Sequence, residues 1–168
     1  MEPAPPVPPV AGLDGCAALL AHRGPGRDVV TALKYRNARA AADWLAVGIA
    51  DLVSPGVADL VTWAPTTELR RRGRGFDHAE VLARRVAREL GLPCASTLAR
   101  LPGPPQTGRN LVERRDGPRF LARRTVAGRS VLVVDDVVTT GATLGHAGVS
   151  LRAAGAVRVL GVAASHPP

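Results

Sequence analysis

Residues 131–144 read Val-Leu-Val-Val-Asp-Asp-Val-Val-Thr-Thr-Gly-Ala-Thr-Leu. The four apolar residues 131–134 predict a short buried strand. Asp135 and Asp136 fall where that strand should end, and Thr139, Thr140, Gly141, Ala142 and Thr143 make a tight, hydroxyl-rich turn. Leu144, Ala147, Gly148, Leu151 and Ala154 then share one face of a predicted helix. A strand, paired acids, an anion-sized turn and a helix, in that order, can hold a sugar phosphate. Backbone N–H groups at a helix N-terminus face the phosphate, and the helix dipole favours its charge. Each carboxylate can accept a hydrogen bond from a ribose hydroxyl. A plain strand-to-helix turn capped by threonine has no need of two neighbouring like charges, which repel. No Gly-Lys-Ser/Thr follows the glycine, so the stretch is not a Walker loop.

The chain of 168 residues suits one domain with one core. Aromatic residues make up only 3% of it, so Ala, Val and Leu must fill that core. The formal net charge is +8, and Lys34 is the only lysine. Arginine's planar fork pairs with phosphate oxygens at two points, which suits a polyphosphate ligand and nucleic acid alike. The scarcity of aromatic platforms counts against a dedicated single-strand binder. Cys16 and Cys94 are far apart and give neither metal-ligand spacing nor a disulfide framework, as expected of reduced thiols in a cytoplasmic protein. No apolar run is long enough for a membrane span, and residues 1–10 lack the features of a signal peptide.

Residues 1–12 carry Pro3, Pro5, Pro6, Pro8 and Pro9, which predicts a disordered or polyproline stretch. The expected division is a Pro-rich arm over 1–24 and a single domain over 25–168. Helices are predicted over 28–36 and 38–53, the second with Ala41, Leu45, Gly48, Ile49 and Leu52 inward. A strand is predicted over 59–64. A helix opens at Asp77-His78-Ala79-Glu80 like a capping box, with Asp77 as cap and Gly91 as stop. A short strand over 95–98, a long loop through most of 102–128 and a last strand over 157–163 complete the order. Strands alternating with helices imply an α/β fold with a central, mostly parallel sheet flanked by helices.

Ligands of open α/β sheets bind off the carboxyl ends of the strands. Pro65, Thr66 and Thr67 lie at the end of strand 59–64, and the basic run 70–74 follows them. This loop and the signature loop should share one crevice. His78 invites a catalytic role, but a first-turn helix residue facing solvent is the reading favoured here. Segment 98–129 holds arginines 100, 109, 114, 115, 119, 123, 124 and 129 against two acids, Glu113 and Asp116. Such a loop can close over a diphosphate and exclude water, or simply remain an exposed basic surface.

Taken together, these segments resemble the ComF/GntX-like branch of the type I phosphoribosyltransferase superfamily. The matching residues are 32–36 (Ala-Leu-Lys-Tyr-Arg), 74–84 (Arg-Gly-Phe-Asp-His-Ala-Glu-Val-Leu-Ala-Arg), 106–110 (Gln-Thr-Gly-Arg-Asn) with Arg114-Arg115, and the signature 131–144. The resemblance covers about residues 28–164. It implies a type I phosphoribosyltransferase fold with a basic, flexible hood loop. It implies that Asp135 and Asp136 bind the ribose hydroxyls of phosphoribosyl diphosphate (PRPP), that the turn 139–143 holds the 5′-phosphate, and that the loop 65–67 binds the diphosphate. Arg74 and Arg109 would neutralise that leaving group. Mg²⁺ would bridge ligand oxygens, with Asp135 and Asp136 reaching it through water. Transfer of a phosphoribosyl group to an unidentified acceptor follows as the implied activity. The alternative is a non-catalytic PRPP- or nucleotide-binding protein of DNA uptake in competence, meeting single-stranded DNA or uptake proteins through its basic loop. A homodimer stays open.

This sequence departs from the family at three places. Cys16 stands where a four-cysteine zinc module is common, Trp63-Ala64-Pro65 replaces Pro-Val-Pro, and Ser165-His166 replaces an arginine at the last strand's end. Thr139 also occupies the position at which hypoxanthine-type enzymes carry an aspartate, which makes purine salvage the less favoured role.

Overall fold

In the computed structural model, which describes residues 1–33, 39–67, 76–102 and 118–168, the stretch 131–134 lies inside a longer strand, Ser130–Val137. The described elements run β1 (Gly15–Ala21), α1 (Gly24–Ala32), α2 (Arg39–Asp51), β2 (Leu60–Trp63), α3 (His78–Leu90), β3 (Leu98–Arg100), β4 (Phe120–Ala122), β5 (Ser130–Val137), α4 (Ala142–Ala153) and β6 (Arg158–His166). Four strands form one parallel sheet in the order β1-β6-β5-β2, and β3 pairs with β4 in a separate antiparallel ribbon.

Successive side chains of a strand point to opposite faces of its sheet. Val131 and Val133 accordingly pack with Leu144, Leu151, Val159 and Phe120 on the α4 side. Leu132 and Val134 pack with Leu45, Ile49, Leu82 and Val86 on the side of α2 and α3. Both faces are covered, which is why β5 reads as an unbroken apolar run rather than an alternating one. Each such Val or Leu contributes about 1.5–3 kcal/mol by leaving water. Asp77 caps α3 and Gly91 stops it in a left-handed conformation, φ 65°. The expected partner of that cap, Glu80, turns instead to Arg84 one helical turn on, at 2.8 Å.

Residues 1–24, expected as an arm, are built into the sheet. β1 pairs in parallel with β6 from Gly15↔Leu160 to Ala21↔His166. Glu2 and Ala4 run along its outer edge, where Ala21 N–H donates to Glu2 O and Ala4 N–H to Leu19 O, both at 3.0 Å. Pro3 is tolerated there because an edge residue owes the ladder no N–H. The chain then crosses α4. A Cβ on Gly145 would lie 2.6 Å from the Ala11 carbonyl oxygen, and one on Gly148 would strike the Gly12 carbonyl. Asp14 finishes the crossing by accepting from Val159 N–H at 2.7 Å and from Arg152.

Other boundaries move for local reasons. α1 starts at Gly24 rather than 28, with Pro25 in its first turn, where a missing N–H does no harm. Leu52 is exposed because α2 ends at Asp51, and Ala42 and Ala46 take its place in the core. The strand expected over 95–98 lies at Leu98–Arg100 and pairs with Phe120–Ala122, inside the expected loop. The middle of that loop, the expected hood with Arg109, lies outside the described residues, as does Arg74. Cys16 sits on one edge strand of the sheet and Cys94 beyond the other, bridged to Val61, so three strand spacings or more keep them from pairing. Burial pushes the Cys16 thiol up to about 11.

Gly145→Ala tests the seat of the N-terminal segment on α4. Overpacking costs about 1–3 kcal/mol, of which helix propensity returns about 1. We expect a lower urea midpoint. A higher midpoint would mean that Ala11 is not held against the helix.

Candidate functional site

The carboxyl ends of β2 and β5 and the start of α3 converge on one pocket of ≈ 170 Å³. Its lining includes Thr66, Asp77, His78, Arg100, Asp135, Asp136 and Thr143. Beside it, the turn 139–143 curls around a hollow of ≈ 30 Å³, and Asp135 and Thr143 line both spaces. The two acids and the threonine turn, read from the sequence as one site, are therefore neighbours.

The turn is held from outside. Val138 N–H donates to Ser165 O at 2.9 Å, and His166 Nδ1 donates to Val138 O at 2.8 Å. Ser165 in turn is hydrogen-bonded through its Oγ to His22 Nδ1 at 2.8 Å. Ser165 and His166 thus anchor the entry to the turn. At its far end Gly141 has φ 77°, a conformation open to glycine without strain. α4 starts there with no side-chain cap from Gly141. Ala142 N–H makes a long 3.4 Å bond to Thr140 Oγ1. A helix start of this kind suits an anion.

The acids are not equivalent. Asp135 is 9% exposed, while Asp136 is half-buried. Burial holds the Asp135 carboxyl well above the usual carboxylate range, and the charge of Asp136 adds to the rise. The Asp136 N–H, which donates to Asp135 Oδ1 at 2.9 Å, opposes it. Asp136 Oδ1 accepts from Val137 N–H, also at 2.9 Å.

Two expectations change. His78, expected to face solvent, is 6% exposed. α3 packs against β2 and β5, and the Phe76 ring stands edge-on to the His78 imidazole at 4.9 Å. The loop 65–67 was expected to offer N–H groups and hydroxyls as donors. Pro65 has none, and the Thr66 N–H is already given to Asp77 Oδ2 at 2.8 Å. Trp63 is buried in the core with the Arg84 guanidinium 5.5 Å above its ring.

Sequence reasoning missed Arg100 as a pocket residue, and it treated Asp77 as a helix cap alone. Nothing in the spacing signals that the second oxygen of Asp77 reaches a loop eleven positions back. Arg74 and Arg109 lie outside the described residues. The acids offer hard oxygen donors of the kind Mg²⁺ prefers. Among the described residues no group of three His, Cys, Asp or Glu side chains could hold a metal ion by itself. Two adjacent carboxylates fit a cation that draws most of its ligands from elsewhere. No described helix is long and apolar enough to cross a membrane.

The family described as phosphoribosyl transferase domain matches residues 77–166. Among curated proteins none matches the chain. Solved structures similar to it include a purine phosphoribosyltransferase from Pyrococcus horikoshii Ot3, at 17% identity and TM-score 0.48 over 72% of this chain and 71% of that one. Glutamine PRPP amidotransferase from B. subtilis is similar at 25% identity and TM-score 0.49, over 72% of this chain and 26% of its own. A hypoxanthine phosphoribosyl transferase from Trypanosoma cruzi is similar at 18% identity and TM-score 0.40, over 82% of this chain and 64% of that one.

The raised carboxyls make a pH prediction. Between the ordinary carboxylate range and the raised value of Asp135, the folded chain keeps a proton that the unfolded chain has lost. Stability therefore falls as pH rises through that window, and Asp77, raised by burial, acts in the same sense. Asp135→Asn keeps an oxygen for the Asp136 N–H and removes the titration. Urea midpoints across pH should fall less steeply in the variant than in wild type. Parallel profiles would refute the assignment.

Proposed function

The chain belongs to the phosphoribosyl transferase domain family, and from this we propose that its pocket binds PRPP and supports Mg²⁺-dependent phosphoribosyl transfer with release of diphosphate. One observation supports the reading: Asp135 and Thr143 border both the acidic pocket and the hollow of the threonine turn, so the places proposed for sugar and phosphate adjoin. Asp135 and Asp136 would accept hydrogen bonds from the ribose hydroxyls. Thr139, Thr140, Gly141, Ala142 and Thr143 would surround the 5′-phosphate at the start of α4. Pro65, Thr66 and Thr67 would form the loop that meets the diphosphate.

A nucleophile attacks C1 of the ribose while the C1–oxygen bond to diphosphate breaks. Positive charge gathers on the ring and negative charge on the leaving group. Asp135 and Asp136 would hold the ring by its hydroxyls, and Arg74 and Arg109 would neutralise the leaving group. Bound Mg²⁺ would neutralise diphosphate oxygens. The acceptor is ammonia, another amine or a base, and Thr139 in place of an acid disfavours a purine. We further propose membership of the ComF/GntX-like branch and a cytoplasmic setting.

A second reading keeps PRPP or nucleotide binding without turnover, in DNA uptake. It is favoured by the exposure of Arg119, Arg123, Arg124 and Arg129, in a segment whose acids number only two. Single-strand affinity that falls steeply with salt in a gel-shift series would support it. Diphosphate release from PRPP and ammonia, without DNA binding, would support the enzyme.

Calorimetric titration with PRPP and Mg²⁺ tests the site that both readings share. The double variant Asp135→Asn with Asp136→Asn should remain folded and lose PRPP binding. Undiminished affinity would show that the ligand sits elsewhere.

A further inference from the structure

Gly141, Gly145 and Gly148 lie on one face of α4 and its start, spaced four and three residues apart. Glycine inside a helix costs stability, so the face needs another reason. The reason is the segment 10–12, which crosses it. A Cβ on Gly141 would lie 2.5 Å from one γ-methyl of Val10, and a Cβ on Gly145 would lie 3.1 Å from the other. Val10 therefore spans the first turn of α4, and the Gly141 it touches also lines the hollow of the threonine turn. Val10 is itself held on both sides. After it, Leu13 N–H donates to Val10 O at 3.1 Å, and Asp14 N–H donates to Val159 O at 2.8 Å. Before it, Ala4 N–H donates to Leu19 O at 3.0 Å. This segment lies outside residues 77–166, the part that matches the family.

We propose that Val10 is a positioning residue: its side chain, packed over Gly141 and Gly145, holds the threonine turn in the shape that receives the 5′-phosphate. The proposal rests on the reading of the pocket as a PRPP site. The turn is weakly bonded within itself. Thr139 and Thr140 are exposed, and the bond from Ala142 N–H to Thr140 Oγ1 is long at 3.4 Å. Its entry is tied to β6 through Val138. Its exit is a glycine, which tolerates a left-handed backbone but does not impose one. The Val10 methyl groups supply the restraint at that end. Without them Gly141 gains other conformations, and a ligand binds only the fraction of molecules that keep the right one. Apparent affinity falls with that fraction. PRPP and ribose 5-phosphate share the 5′-phosphate, so both lose by the same factor.

Val10→Ala removes two methyl groups from this half-buried contact, and Val10→Thr keeps its branched shape. Calorimetry well below each variant's thermal midpoint reads affinity on folded protein, which a loss of global stability alone does not move. The probes are PRPP plus Mg²⁺, and ribose 5-phosphate titrated by displacement of PRPP. In Val10→Ala both affinities should fall by one factor, about threefold to tenfold on the scale of two methyl groups. Val10→Thr should bind both probes as wild type does. Undiminished PRPP affinity in Val10→Ala overturns the inference. So does a fall for PRPP alone, or a threonine variant as weak as the alanine one. In each of those cases wild-type PRPP binding leaves the site reading intact. Absence of PRPP binding in the wild type overturns both. If Val10→Ala fails to fold, Gly145→Ala, whose added methyl group displaces the same segment, should show the same paired loss.

Discussion

Asp135 carries a carboxylate at the end of a strand that has no wet side. β5 is hydrogen-bonded to β2 along one edge and to β6 along the other, and side chains cover both of its faces. A carboxyl group inherits that burial and is held toward its neutral form. Its surroundings are arranged as this demands: an amide N–H from the next residue, a second acid kept partly in solvent, and an opening at the strand's carboxyl end. Moving the pair one residue toward the strand's middle would bury it between α4 and α3 with no such exit.

The turn depends on the same strand from the other direction. Its entry is fixed by β6, through the Ser165 carbonyl and the His166 imidazole, and its exit by the left-handed Gly141. Val10 packs so close to Gly141 that a Cβ there would lie 2.5 Å from a Val10 methyl group. Residues far apart in the chain thus hold five consecutive positions in shape. That leaves the amides at the start of α4 positioned before any ligand arrives, which lowers the ordering a ligand must impose.

Much of this was legible. The apolar run 131–134, the adjacent acids, the threonine turn and the helical spacing after it each have one dominant local reading, and all agree. The opening at Asp77 and the stop at Gly91 follow from cap chemistry alone. What stayed hidden was non-local. β1 is spelled Gly-Cys-Ala-Ala-Leu-Leu-Ala, with neither β-branched nor aromatic residues, so only its pairing with β6 makes it a strand. His78 occupies a first turn that is usually wet, and its burial comes from the sheet beneath. β3 and β4 span three residues each, too few to carry a period. The clamp between Asp77 and Thr66 joins two residues whose types fit many other roles.

A parallel sheet of four strands has two open sides, and here each is occupied by a passing segment that contains a proline. Along β1 the segment with Pro3 lies antiparallel to Leu20. Along β2, Val61 donates to the Pro93 carbonyl at 2.9 Å and accepts from Ala95 N–H at 3.0 Å. A second copy therefore finds little bare backbone along the two edges of this four-stranded sheet, where lateral growth of a ladder ordinarily begins.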